Sequence, residues 1–148
     1  MPQLLIFIHI ISVIVWIGGM FFAYFCLRPA AVEVLEPPKR LPLWLATFKL
    51  FFRYAAIAVT LILTSGFVMF LQVGFKAAPM SWHIMLTLGL IMSFVFAYVV
   101  FVLYPKLHTH CEASAWPAAG ATLGSIRQLV AVNLALSVLT IAAAVLGR

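Results

Sequence analysis

Charge is scarce in this chain. Its 148 residues hold nine Lys or Arg, three Glu and no Asp, so 8% are charged, where a soluble domain carries about 25%. A water-soluble globule is excluded, because it would have no polar shell. So is a reaction run by paired carboxylates, since Glu33, Glu36 and Glu112 all fall outside the long apolar runs. Two cysteines, Cys26 and Cys111, make no disulfide framework. No phosphate-binding glycine loop and no nucleophile with an acid–base partner is visible, so hydrolase and transferase readings have no support. What is abundant excludes disorder: 66% of the residues are hydrophobic and mean hydropathy is +1.21. The pI of about 9.8 does not point to nucleic acid. The few basic residues sit at the ends of apolar runs, where membrane topology places them.

Four runs are long enough to cross a bilayer, which takes roughly 20 apolar residues in a helix. They cover about 3–27, 54–73, 82–104 and 128–146. The expected fold is an all-α integral membrane four-helix bundle, a single domain over residues 1–148. The first run lacks a basic leading segment and is too long for a cleaved signal, so it is expected to remain as a helix. The loop 28–53 is expected to hold a helix lying at the headgroup level, because Leu43–Arg53 mixes Trp44, Phe48, Phe51 and Phe52 with Lys49 and Arg53. Pro117 is expected to start an extension of the fourth helix. No long internal repeat is evident. Seven basic residues (Arg28, Lys39, Arg40, Lys49, Arg53, Lys106 and Arg127) lie on one side, and Lys76 and Arg148 on the other. The positive-inside rule then puts both termini in the periplasm of a bacterial inner membrane, and leaves both cysteines as free thiols in the cytoplasm.

Apart from Cys26 and the tyrosines, two ionisable side chains stand inside the spans: His9 and His83. Such residues are costly in lipid and mark function by default. Both occupy the first turns of helices running in the same direction, so they share a leaflet. Two neutral imidazoles facing each other across a bundle suit the axial positions of a b-type haem iron. The bland alternative has His83 reaching to water and His9 bonding a neighbouring helix. Trp16 stands seven residues after His9, one layer deeper on the same face. Gly18, Gly19 and Gly66 let a macrocycle or a helix approach. Lys76 and Arg148 are candidate partners for haem propionates, or ordinary end-of-helix charges. Asn133 is a buried amide whose default role is an interhelical hydrogen bond.

A second constellation suggests copper. Met80, His83 and Met85 combine thioether and imidazole, a soft set that suits Cu(I). His108, His110 and Cys111 offer two imidazoles and a thiol at the opposite face. Methionine is also a common apolar filler, His-x-His-Cys is a short pattern, and no methionine-lined track joins the two clusters.

The first span and its end read H-I-I-S-V-I-V-W-I-G-G-M-F-F and L-R-P-A-A. His9, Trp16, Gly18, Gly19, Arg28 and Pro29 in this block resemble CopD-type membrane proteins, and so does I-R-Q-L-V-A-V-N-L-A-L near the C-terminus. That resemblance covers most of the chain and implies copper import. The first block is similar also to the HemJ family, small haem-binding membrane proteins that oxidise protoporphyrinogen IX. It implies haem b ligation by His9 and His83. Met85 stands where that family's pattern has lysine, and Ala97-Tyr98-Val99 where it has a later histidine. The resemblance therefore implies haem binding and leaves the enzyme question open, any enzyme activity being that of an oxidoreductase of this kind. The leading expectation is a haem b protein with a role in electron transfer or redox sensing, alongside a quinone or membrane redox partner. Copper binding or transport is the alternative, and a cofactor-free membrane assembly factor is the third. A homo-oligomer remains open.

Overall fold

The computed structural model describes residues 2–147. They form four long helices: α1 Pro2–Val34, α2 Pro37–Val73, α3 Met80–Glu112 and α4 Trp116–Leu146. All four are long and apolar enough to cross a membrane, so the chain is an all-α, multi-pass membrane protein. Two helix starts carry proline, Pro37 in α2 and Pro117 in α4. The missing N–H costs nothing there, because the first-turn donors have no intrahelical acceptor. Gly74 ends α2 with φ 88°, a conformation that favours glycine, and donates its N–H to the Phe70 carbonyl at 2.9 Å.

The helices overshoot the apolar runs at the basic end. The stretch Leu43–Arg53, expected to lie along the membrane surface, is instead continuous with α2. Trp44, Phe48 and Phe52 recur every four residues, so they form one stripe along a single helix. Phe48 and Phe52 stack with ring planes 3° apart. This stripe is buried with Val99, Leu103, Leu107, Ala119 and Ile126, forming the core of the basic end. Lying flat at the headgroups would have withdrawn the stripe from those partners. The loop after the third run is likewise shorter than expected. Helix α3 runs on to Glu112, and Pro117 sits in the first turn of α4.

Helix α1 packs along α2, and α3 along α4. Large apolar side chains such as Phe7, Leu71, Phe94, Phe101 and Val138 point outward. That is the arrangement of a lipid-facing surface, where close packing and buried polar contacts hold helices together. Gly19 shows the first effect: a Cβ built there would collide with the Phe51 ring of α2.

Two features divide the molecule into similar halves. Helices α1 and α3 each contain one widened π turn, Ala23–Leu27 and Val99–Leu103. The N–H of Arg28 bonds the carbonyl of Ala23, and that of Tyr104 bonds the carbonyl of Val99, both five residues back. A proline follows at once, Pro29 or Pro105. Proline has no N–H for the carbonyl four residues back, and its ring collides with it. The wider turn moves that carbonyl aside, so each helix continues instead of breaking. The residues Phe25-x-Leu27-x-Pro29 recur as Phe101-x-Leu103-x-Pro105. This short repeat is seen only once the two helical hairpins are laid side by side.

Candidate functional site

Towards the end of the bundle where α1 starts, a histidine and a serine on different helices meet. His9 of α1 reaches Ser65 of α2, with Nδ1 2.9 Å from Oγ. The Ser65 hydroxyl is 2.6 Å from the carbonyl of Leu61, four residues back in its own helix. That carbonyl only accepts, so the hydroxyl donates to it. Its oxygen then accepts from His9. The Nδ1 atom therefore carries the imidazole proton, and Nε2 keeps its lone pair. Ser65 is buried and His9 partly buried. Gly66 lies beside the ring, where a Cβ would come 3.4 Å from Cε1. This is how metal-binding histidines are commonly oriented: one ring nitrogen is tied down, which fixes the tautomer and aims the other.

Met69 shares the helix face of this pair's serine. It lies four residues after Ser65 and three after Gly66, on the same face of α2, and is half-buried. Helical side chains lean towards their own N-terminus, so Met69 leans back over the level of Ser65. Neither Ser65 nor Met69 was singled out by the sequence. A serine that bonds its own i−4 carbonyl is ordinary in a membrane helix, and methionine is a common filler.

His83 is held elsewhere. Its Nε2 donates to the carbonyl of Phe75 at 3.1 Å, and its ring stands edge-on to Phe70, centroids 5.0 Å apart. Phe75 lies beyond the end of α2, and Phe70 is five residues past Ser65. At 1.5 Å and 100° per residue, Phe70 is about 7.5 Å further along α2 than Ser65 and about 140° around it. The two histidines share an end of the bundle but are tied to different levels and faces of α2. Haem ligation between them asks for two facing ring nitrogens. His83 Nε2 donates to a carbonyl, which leaves the lone pair on its Nδ1, and the ring is tied to a different level and face of α2 from His9. Of the residues proposed to hold propionates, Lys76 is exposed in the turn after α2, and Arg148 lies outside the described residues.

The copper candidates separate too. Met85 is two residues from His83, about 200° around the helix, while Met80 shares the His83 side and is 73% exposed. His108 faces Glu112 one turn on, 3.6 Å away. His110, two residues further than His108, turns to a cleft with Lys106 and Thr122. Cys111 packs at the edge of the aromatic core. Among the described residues, no three His, Cys, Asp or Glu side chains converge on one point.

Between the two ends lies a middle layer. Trp16, Met20 and Met92 are buried together with Ala55, Ala58 and Val59. Trp16 stands edge-on to Phe96, centroids 5.8 Å apart. Asn133 donates its amide to the Met92 carbonyl at 3.2 Å, joining α4 to α3, and Thr140 reaches the Met92 sulfur at 4.0 Å. The Trp16 indole N–H and the Asn133 side-chain oxygen are both buried without a partner. No methionine-lined track between the two ends was evident in the sequence; the structure buries two thioethers, Met20 and Met92, in this middle layer.

Fold and site together define a class: a small four-helix membrane protein with an oriented imidazole in its apolar interior. The family model described as CopD, copper resistance protein D, matches residues 45–146, well over half of the chain, and the chain belongs to that family. The matched stretch holds Ser65, Met69, His83 and Asn133. It begins inside α2 and so does not include α1 or His9. No curated protein and no solved structure matches the chain.

Proposed function

We propose that the protein binds copper, as Cu(I), inside the membrane, with His9 and Met69 as ligands and Ser65 holding the imidazole in register. The observation that carries this reading is the His9–Ser65 hydrogen bond. It leaves one imidazole nitrogen free within an apolar bundle, and a thioether, Met69, stands one helical turn after the serine on the same face of α2. Imidazole and thioether together form a soft donor set that suits Cu(I) rather than hard cations. Membership of the CopD family supports the same metal. Copper is cargo here, and the buried thioethers of Met20 and Met92 give it a soft second station deeper in the bundle.

The haem b reading keeps one favourable observation, the same free nitrogen of His9. It requires a second axial ligand, and His83 is tied to Phe70 and Phe75, away from the level and face of α2 that His9 meets. The cofactor-free assembly reading has no observation of its own. Competition for Cu(I) against a chromophoric chelator, with an optical spectrum of the same sample, separates the three. The expected result is one tightly held Cu(I) in the wild type, binding weakened at least tenfold in His9→Ala, and no haem bands. Sharp low-spin b-type bands that vanish in His9→Ala would overturn copper in favour of haem. Neither metal nor haem would leave the assembly reading.

A further inference from the structure

At the basic end, α1, α2 and α4 enclose a cleft of about 170 Å³ onto which Arg28, Arg40 and Arg127 converge. All three are partly buried. Arg28 lies over the Tyr24 ring, 5.7 Å from its centroid, and Arg40 reaches the Leu35 carbonyl at 3.4 Å. Among the described residues, no carboxylate forms an ion pair with any of them. Three like charges around one partly dehydrated cleft repel one another, and no described carboxylate is paired with them.

The rest of the lining is apolar. Trp44 and Phe48 form one wall. Gly120 and Gly124 leave the facing side of α4 bare, and a Cβ at either would meet nothing within 4 Å. An inorganic anion would satisfy the charges and leave this groove unused. An amphiphile satisfies both parts.

We propose that this cleft binds an anionic glycerophospholipid, the three guanidinium groups holding its phosphate and the Trp44–Phe48 wall and glycine groove taking the upper part of an acyl chain. Basic pockets between helices at the headgroup level are where anionic lipids dock, and guanidinium groups match phosphate oxygens in pairs. The site is independent of the metal reading and lies at the other end of the bundle from His9.

The test uses the full-length protein, delipidated in neutral detergent. Bound lipid is counted by native mass spectrometry and thermal unfolding is followed by circular dichroism. The probes are phosphatidylglycerol, phosphatidylcholine and inorganic phosphate. Phosphatidylglycerol is expected to bind and stabilise in preference to phosphatidylcholine, and phosphate alone to do neither. Each of Arg28→Gln, Arg40→Gln and Arg127→Gln should weaken phosphatidylglycerol binding about fivefold. Gly120→Leu with Gly124→Leu fills the groove without touching a charge and should lower binding while the helical spectrum is kept. A triple arginine variant that folds and keeps the preference overturns the site. So does equal binding of phosphatidylcholine, or stabilisation by phosphate alone.

Discussion

Ser65 gives His9 its orientation through one hydroxyl oxygen. Removing such an outer partner lowers metal affinity by about 10- to 100-fold in comparable sites. Ser65→Ala is therefore expected to weaken Cu(I) binding within that range while the fold persists, because the serine's remaining bond is to its own helix. Chelator competition on the purified variant reads this directly, and unchanged affinity would remove Ser65 from the site. A second prediction separates the two adjacent glycines of α1. Gly19→Ala drives a methyl group into the Phe51 ring, whereas Gly18 has open space around it. Overpacking of this kind costs about 1–3 kcal/mol, so Gly19→Ala should lower the unfolding temperature in detergent and Gly18→Ala should not. His9 was legible in the sequence, because an ionisable group in an apolar run has few innocent reasons to be there. Its partner was not. Several serines and threonines of these helices bond their own i−4 carbonyls, and nothing local marks the one that another helix approaches.

At the scale of the helix, Asn133 is the clearest tie between elements. Its amide bridges α4 to the Met92 carbonyl of α3. Interhelical hydrogen bonds in membranes contribute about 0.6 kcal/mol on average and up to about 1.7. Asn133→Leu removes that bond, but it also removes the unpartnered oxygen beside it. The net change is expected to stay below about 1 kcal/mol, measured by denaturant unfolding in mixed micelles. A loss several times larger would mean that the oxygen has a partner in the membrane, such as a bound water or the ligand itself. The sequence showed that four helices exist and roughly where each crosses the apolar layer. It did not show where they stop, because hydropathy measures the lipid layer and these helices continue beyond it at the basic end. The aromatic stripe of α2 was read as a surface helix, since its period of four fits either a bilayer surface or a protein core. The π turns were hidden because only their prolines leave a trace, and a proline alone reads equally as a helix end.

For the whole molecule, the basic end of the bundle carries Arg28, Arg40, Lys106 and Arg127, and the end holding His9 and His83 carries Lys76. The positive-inside rule gives the expectation that the histidine end faces away from the cytoplasm. Reporter fusions after Arg40 and Ala115 are expected to report cytoplasm, and one after Lys76 periplasm. The reverse pattern would place the metal site on the cytoplasmic side. In the expected orientation, copper would enter from outside at His9 and meet the buried thioethers of Met20 and Met92 before the aromatic core of the far end. The most direct test of a copper site at His9 is the metal content and X-ray absorption spectrum of the protein purified from copper-supplemented cells, beside Met69→Leu, which keeps the side-chain volume. The account predicts Cu(I) with imidazole nitrogen and at least one sulfur scatterer in its first shell, the sulfur signal falling in Met69→Leu. Iron without copper, or a copper shell with no sulfur in the wild type, would contradict it.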